Sequence, residues 1–378
     1  MPKVGFKEWW AVGRAIADGE MLRYNESGRF TQKFEEKIGA MIGASHVITV
    51  NGGTSALTCC LAAAGIGPGD EVLVPAYTWM ATAAAPVMVG AVPVLVDIDE
   101  SLTIDPADIE AKITPHTKAI IPVHMINVPC DMDAIMAIAK KHNLVVIEDA
   151  CQAVGVQYKD HYCGAIGDAG AFSFNKYKNM NIGEGGAVIT SDDRMFARAR
   201  NYHDLGAPMR GHDETYNEKT FVGGNMRATE IEGAMLGAQL SKLQPMLTKL
   251  KKQRRVVAEI IEGNDGLNLS PHHDPDSAIS ITVIFDTPEE ASAFADKGGA
   301  YVLHDNSKHV YTNWDAILNK HTFHPKMNPW DWAHREINYD LDECVRTLDI
   351  LMRTCRINLG SRLPLPLFKK RAQGRWGA

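Results

Sequence analysis

Short apolar runs, separated by longer patterned segments, dominate the first half of the chain. The runs at 47–50, 71–75, 92–98, 119–124 and 144–148 are nearly continuous in apolar character. Runs of that kind predict strands buried on both faces. Between them, 55–64, 81–89 and 131–142 predict helices, the last with apolar residues at Met132, Ile135, Met136 and Ile138. Segments 169–174 and 187–190 predict two further strands. Strands alternating with helices predict an α/β fold, three layers deep, around a mostly parallel central sheet.

The texture changes after about Met226. Thr229 to Leu243 predicts an amphipathic helix with Ile231, Met235, Leu236, Leu240 and Leu243 as its stripe. Pro245 is expected to kink or break it, because proline removes a donor and crowds the preceding turn. Beyond it, 279–285 predicts a strand and 287–297 a helix. The expected division is a large domain with an N-terminal arm over 1–246 and a smaller C-terminal α+β domain over 247–378. Leu363-Pro364-Leu365-Pro366 and Lys369-Lys370-Arg371 read as an irregular, exposed tail. The last ~15 residues are expected to be poorly ordered.

Composition narrows the function. The chain has 378 residues, 45% of them hydrophobic, and a formal charge of −7. The length suffices for one large core and a second, smaller one. The acidic balance argues against a nucleic-acid surface. The basic run Lys249 to Arg255 reads as a solvated helix face. Cys59, Cys60, Cys130, Cys151, Cys163, Cys344 and Cys355 form no C-x-x-C pair, so no metal site or disulfide framework is suggested. No apolar run reaches the ~18 residues a membrane span needs, and the start has no secretory pattern. A reducing cytoplasm is the expected setting.

Three features carry candidate chemistry. Asn51-Gly52-Gly53-Thr54-Ser55 joins a strand to a helix. Glycines there let backbone approach a ligand, and the helix N-terminus offers free N–H groups to an anion. Taken alone, the same turn also fits an ordinary helix cap. Asp149 ends a strand at the edge where open α/β sheets bind ligands. A carboxylate there can keep a pyridinium nitrogen protonated, and Gln152 can donate to a ring hydroxyl; a capping role fits Asp149 alone equally well. Lys178 follows Ser173-Phe174 and precedes Gly183-Glu184-Gly185-Gly186. An exposed lysine is the ordinary fate of the residue, and that reading holds for Lys176. Trp79 can stack on an aromatic ring or belong to the core. A lysine amine, a carboxylate and a phosphate cradle together suit pyridoxal phosphate (PLP).

At these residues the chain resembles the DegT/DnrJ/EryC1/StrS sugar aminotransferases, fold-type-I PLP enzymes. The resemblance is carried by Gly53-Thr54-Ser55-Ala56-Leu57, Gly69-Asp70-Glu71-Val72 through Trp79, and Glu148-Asp149-Ala150-Cys151-Gln152-Ala153. It continues in Ser173-Phe174 to Lys178, Gly183 to Gly186, and Gly223-Gly224-Asn225-Met226-Arg227. These motifs span roughly residues 5 to 240. The family would make Lys178 the residue that condenses with the cofactor and then carries a proton. Asp149 would pair with the ring nitrogen, Gln152 with the ring oxygen, and Trp79 would stack on the ring. Gly53, Thr54, Ser55 and Ser173 would hold the phosphate. Asn225 would reach the phosphate of a neighbouring subunit, which implies a homodimer with shared sites. The implied reaction moves an amine from an amino acid, glutamate in the first instance, to a keto sugar; the alternatives are another PLP reaction, an elimination, dehydration or cyclisation on a sugar or amino acid, and a non-catalytic PLP-binding regulator.

Two departures lie near the substrate side. Ala153-Val154-Gly155 stands where the family often has A-H-G, and Val123 to Val128 departs from V-H-x-x-G-Q. The family's closing helix is not evident after Leu359. Arg23-Tyr24-Asn25 and His309 to Trp314 are similar to the branch that aminates an 8-keto octulosonate; a cyclitol branch is the second neighbour. An acidic sugar would want a cation or donor, for which Arg23, Tyr24, Arg29, Arg227 and His309 are candidates.

Overall fold

The computed structural model describes residues 4–23, 29–206, 218–360 and 362–377. Two helices, α1 (Phe6–Asp18) and α2 (Phe30–Ile42), lead into β1 (His46–Val50). The chain then alternates through α3 (Gly53–Ala64), β2 (Glu71–Pro75), α4 (Ala81–Val89), β3 (Val92–Val96), α5 (Pro106–Lys112) and β4 (Thr117–Ile120). After α6 (Met132–His142) and β5 (Val145–Asp149) comes a small hairpin, β6 (Gln157–Tyr158) and β7 (His161–Tyr162). Strands β8 (Ala169–Ser173) and β9 (Gly186–Thr190) and helix α7 (Asp193–His203) complete the large sheet and its cover.

Seven of these strands form one sheet in the order β1-β9-β8-β5-β4-β2-β3. β9 runs antiparallel to both neighbours, and the other pairings are parallel. Strands β2, β3, β8 and β9 are buried at every position, which is why their sequences do not alternate. The expected three-layer fold is therefore present.

Helix α8 (Glu230–Glu262) departs from expectation. It starts at a capping box, with Thr229 and Glu232 each bonding the other's backbone N–H. It then continues past Pro245 and through position 246 without an end. Packing on both sides of the proline holds it: Leu243 and Leu247 sit in the first core, Val257 and Ile261 in the second. These contacts outweigh the one ladder bond that proline removes.

The second core belongs to a four-stranded antiparallel sheet of β10 (Asn268–Leu269), β11 (Thr282–Ile284), β12 (Ala300–Val302) and β13 (Thr354–Ile357), in the order β10-β11-β13-β12. Helix α9 (Pro288–Asp296) packs against β12 and β13. Residues between β12 and β13 return to the first core through Leu303, Tyr311, Trp314, Ile337 and Leu351. That stretch includes the short α10 (Asp315–Leu318) and α11 (Val345–Met352).

The tail expectation is corrected. Leu365–Trp376 is a helix, α12, that packs on α8. Phe368, Ala372 and Trp376 recur every four residues and enter the second core. Lysines and arginines on its outer face hide that stripe from a reading by composition. Trp376 is 4% exposed and stacks on Phe294. Trp376→Ala should therefore destabilise the protein by about 3–5 kcal/mol, read by urea denaturation; a change near zero would contradict the packing described.

Candidate active site

The site assembles where strands β1, β5 and β8 end. Val50 and Ser173 both face Gly186 across the sheet, and Asp149 lies opposite Ala171. One sheet edge thus gathers Asn51, Asp149 and Ser173. Helix α3 begins there at Gly53, after Gly52 in extended backbone. A Cβ at Gly53 would lie 2.8 Å from Cys151 Sγ and 2.9 Å from Ser173 Cβ. Glycine therefore lets the first turn of α3 close on Ser173 and Cys151. The Ser55 hydroxyl donates to Asn51 Oδ1 at 2.6 Å, which steadies the turn. Twelve residues of helix direct their N-terminal dipole at this spot, beside the Ser173 hydroxyl.

Asp149 is 5% exposed. Its Oδ2 accepts from Thr82 Oγ1 at 2.7 Å and its Oδ1 from the Cys151 N–H at 3.1 Å. Thr82 is in turn bonded to Thr78 at 2.8 Å. Thr78 and Thr82 were not singled out from the sequence. Their spacing of four across the start of α4 was the available signal. Behind Asp149, the fully buried Glu148 carboxylate accepts from the N–H groups of Gly164, Ile166 and Gly167 and from His124 Nε2. His124 Nδ1 accepts from the Cys130 N–H, so the imidazole is neutral with its proton on Nε2. This network fixes the strand that presents Asp149.

Lys178 is half-buried, whereas Lys176 and Tyr177 are exposed. Lys176 instead lies over the Tyr177 ring, 5.7 Å from its centroid. The Lys178 charge reaches the buried Cys151 thiol, opposing the upward push of burial and Asp149. It also reaches His309. Asn179 is buried beside it and donates to Asn127 Oδ1 and the Val154 carbonyl. Gln152 Oε1 accepts from the Ile126 N–H at 3.2 Å. Ile126 and Asn127 hold positive φ of 48° and 69°. The departure from the family pattern at 123–128 is thus a tight turn that positions both Gln152 and Asn179.

Trp79 is 47% exposed and meets His309 edge to face, with centroids 5.9 Å apart. Tyr77 meets the same imidazole at 6.4 Å. The Thr78 N–H donates to the His309 carbonyl, which ties this loop to α4's approach. The other sequence candidates lie elsewhere or are engaged. Arg23 pairs with Glu35 at 2.5 Å and contacts His203. Arg227 pairs with the buried Asp204. Arg29 gives its N–H to Glu230. Tyr24 lies outside the described residues. Asn225 is exposed, bridged to Asp204. All seven cysteines are free and buried. Among the described residues, no group of three or more His, Cys, Asp or Glu could hold a metal, and no helix is long and apolar enough to cross a membrane.

The donor set fits PLP: an anion cradle at Gly53, Thr54, Ser55 and Ser173, a buried carboxylate at Asp149, and an amine at Lys178. Comparison with known proteins agrees. The model of the DegT/DnrJ/EryC1/StrS aminotransferase family matches residues 14–301. The chain belongs to this family. GDP-perosamine synthase of Caulobacter vibrioides is 44% identical over 224 residues, 58% of each chain. The chain matches about half to two thirds of the length of such curated relatives. The solved structure of 3-amino-5-hydroxybenzoic acid synthase superposes with a TM-score of 0.79 at 27% identity, covering 99% of this chain and 98% of that one. NtdA from Bacillus subtilis, solved with bound cofactor PMP, superposes at 0.72 and 25% identity, covering 98% of this chain and 79% of that one. Family members are PLP-dependent.

Two outcomes follow from the geometry. Glu148→Gln places an amide N–H₂ against backbone donors and should cost about 3–5 kcal/mol in chemical denaturation; a cost below about 1 kcal/mol would show the network is not needed. Burial, aided by Lys308, Lys178 and Arg356, pushes the His309 imidazole down to about 4. The unfolded chain then binds the extra proton between about pH 6.5 and pH 4. The contribution of His309 to stability is therefore complete above that window and lost as pH falls through it. An NMR titration should find His309 neutral at pH 5.5; a midpoint above 6.5 would contradict the burial.

Proposed function

We propose that this protein is a PLP-dependent aminotransferase that transfers an amine from an amino acid, L-glutamate in the first instance, to a keto sugar. The observation that carries the reading is the convergence of Lys178, Asp149 and the α3 N-terminus on one sheet edge. Kinship with GDP-perosamine synthase supports a sugar acceptor. An 8-keto octulosonate is the finer reading, supported by the likeness at His309 to Trp314. A biosynthetic role in cell-surface polysaccharide or natural-product assembly fits such a product.

When bound, the cofactor supplies an aldehyde and a conjugated ring that draws electrons from the reacting carbon. The chain's own groups do the rest. The first turn of α3, with Thr54, Ser55 and Ser173, would hold the phosphate. Asp149, braced by Thr82 and the Cys151 N–H, would keep the ring nitrogen protonated. Gln152 would pair with the ring oxygen and Trp79 would stack on the ring. Lys178 Nζ would hold the cofactor through its aldehyde carbon, and as a free base it would carry the proton that leaves the donor's α-carbon. The same amine would move a proton again when the keto sugar is the acceptor, and because donor and acceptor would use one site in turn, ping-pong kinetics are expected.

We also read the protein as a homodimer with shared sites. Phe6, Trp9 and Trp10 on α1 are 75%, 66% and 57% exposed, and Val222 is 89% exposed three residues before Asn225. Covering such surface favours self-association, and it would carry Asn225 to the partner's phosphate.

The loaded protein should absorb in the visible, and the band should bleach on adding L-glutamate as one equivalent of 2-oxoglutarate forms. Lys178→Ala should slow that half-reaction by roughly 10²–10⁴-fold or more. A spectrum that no amino acid changes would refute transamination.

A further inference from the structure

Helix α12 and the second half of α8 lie side by side. At one end Gln253 Oε1 accepts from the Gly360 N–H at 2.8 Å, and at the other Asn264 Nδ2 donates to the Trp376 carbonyl at 2.8 Å. Charge along this pair is one-sided. From Arg362 onward the sequence holds five Lys and Arg and no Asp or Glu, although the whole chain carries −7. Helix α8 adds Lys249, Lys252 and Arg255, all exposed. Among the described residues, Lys369 reaches Glu259 at 3.9 Å, and none of the other cations on the two helices' shared surface has an ion pair. Like charges gathered without counter-charges repel, and an anion from outside the chain relieves that.

Apolar side chains accompany the cations. Between the helices, a cleft of about 280 Å³ is lined by Lys249, Lys252 and Arg362 together with Leu363, Pro364 and Leu365. Leu365 is 38% exposed and Leu367 54%. Phe368, Ala372 and Trp376 turn into the second core, so helical periodicity puts Leu367, Lys370 and Gly374 on the opposite, outer face. Leucines among lysines and arginines suit the boundary of a lipid bilayer: the apolar groups enter the acyl margin and the cations meet headgroup phosphates. A nucleic-acid strand would instead want exposed aromatic rings to stack on, and both aromatic rings of α12 are buried. This surface is distinct from the aromatic face of α1. Helix α1 meets α8 at Gln239 and Lys242, roughly 17 Å of helix before Gln253.

We propose that the outer face of α12, with the adjoining edge of α8, seats the protein on a bilayer surface rich in anionic lipid. Lys249, Lys252, Arg362, Lys370 and Arg371 supply the attraction, and Leu367 enters the headgroup boundary. The proposal goes beyond the aminotransferase reading and holds or fails without it.

The test is co-sedimentation of the full-length protein with sucrose-loaded phosphatidylcholine vesicles, with and without phosphatidylglycerol at about one lipid in three. Wild type should sediment with the anionic vesicles and not with the neutral ones, and less so as salt is raised. At about five-fold per cation, the triple variant Lys369→Gln, Lys370→Gln, Arg371→Gln should bind roughly 100-fold more weakly. Removing the same charge from exposed sites elsewhere, as Lys118→Gln, Lys140→Gln and Lys326→Gln together, should leave the affinity unchanged. Leu367→Gln, which alters no charge, should weaken binding several-fold. Wild type that ignores anionic vesicles overturns the proposal, and so does wild type that binds a single-stranded oligonucleotide in their place. Equal affinity in wild type and the α12 triple variant, equal losses in both triple variants, or an affinity that Leu367→Gln does not change also overturns it.

Discussion

Strands β1, β5 and β8 run the same way, and that fixes where their carboxyl ends lie. The pairing of Gly186 with both Val50 and Ser173 locks the glycine turn beside the serine. The parallel register of β5 and β8 sets Asp149 one strand further along. No loop has to search for this arrangement. The hydrophobic burial of the strands holds it, and the cost of keeping a carboxylate at 149 is met locally by Thr82 and the Cys151 N–H. The preceding residue, Glu148, ties the β5 end to the 164–167 turn and to His124. The carboxylates of Asp149 and Glu148 thus sit where backbone donors or hydroxyls already wait for them.

A single helix links the two sheets. α8 is continuous from the first core to the second, so the two sheets share a rigid spine. The chain between β12 and β13 then returns to the first core and delivers His309 beside Tyr77 and Trp79. The candidate site is therefore built from distant stretches: the turn at 51–55, the loop at 77–82, the strand end at 149, the segment at 173–179, and residues beyond 300.

Much of the first sheet was legible in the sequence, because strands buried on both faces announce themselves as unbroken apolar runs. β2 and α4 occupy the expected residues, and β1, β3, β5, β8 and β9 differ by a residue or two. Strands β12 and β13 were not legible: each is three or four residues long, and Arg356 interrupts the apolar pattern of β13. α12 was hidden by its prolines and its basic outer face, and Pro245 suggested an end that tertiary packing overrides. At the site, motif context singled out Lys178 and Asp149, and the structure puts Asp149 in a buried pocket of donors. Thr82 and Asn179 were not legible, since their bonds come from contacts across the fold. Arg23 and Arg227, picked as cations, are spent on Glu35 and Asp204; a sequence gives charges without showing which are already paired.

The central proposal is that Lys178 and Asp149 would hold pyridoxal phosphate, the amine through the cofactor's aldehyde and the carboxylate through its ring nitrogen. Borohydride reduction of the loaded protein, digestion and peptide mass spectrometry test it most directly. The account predicts one stable pyridoxyl adduct, on the peptide containing Lys178 and on that lysine. An adduct on Lys176, or none on any lysine, would contradict it.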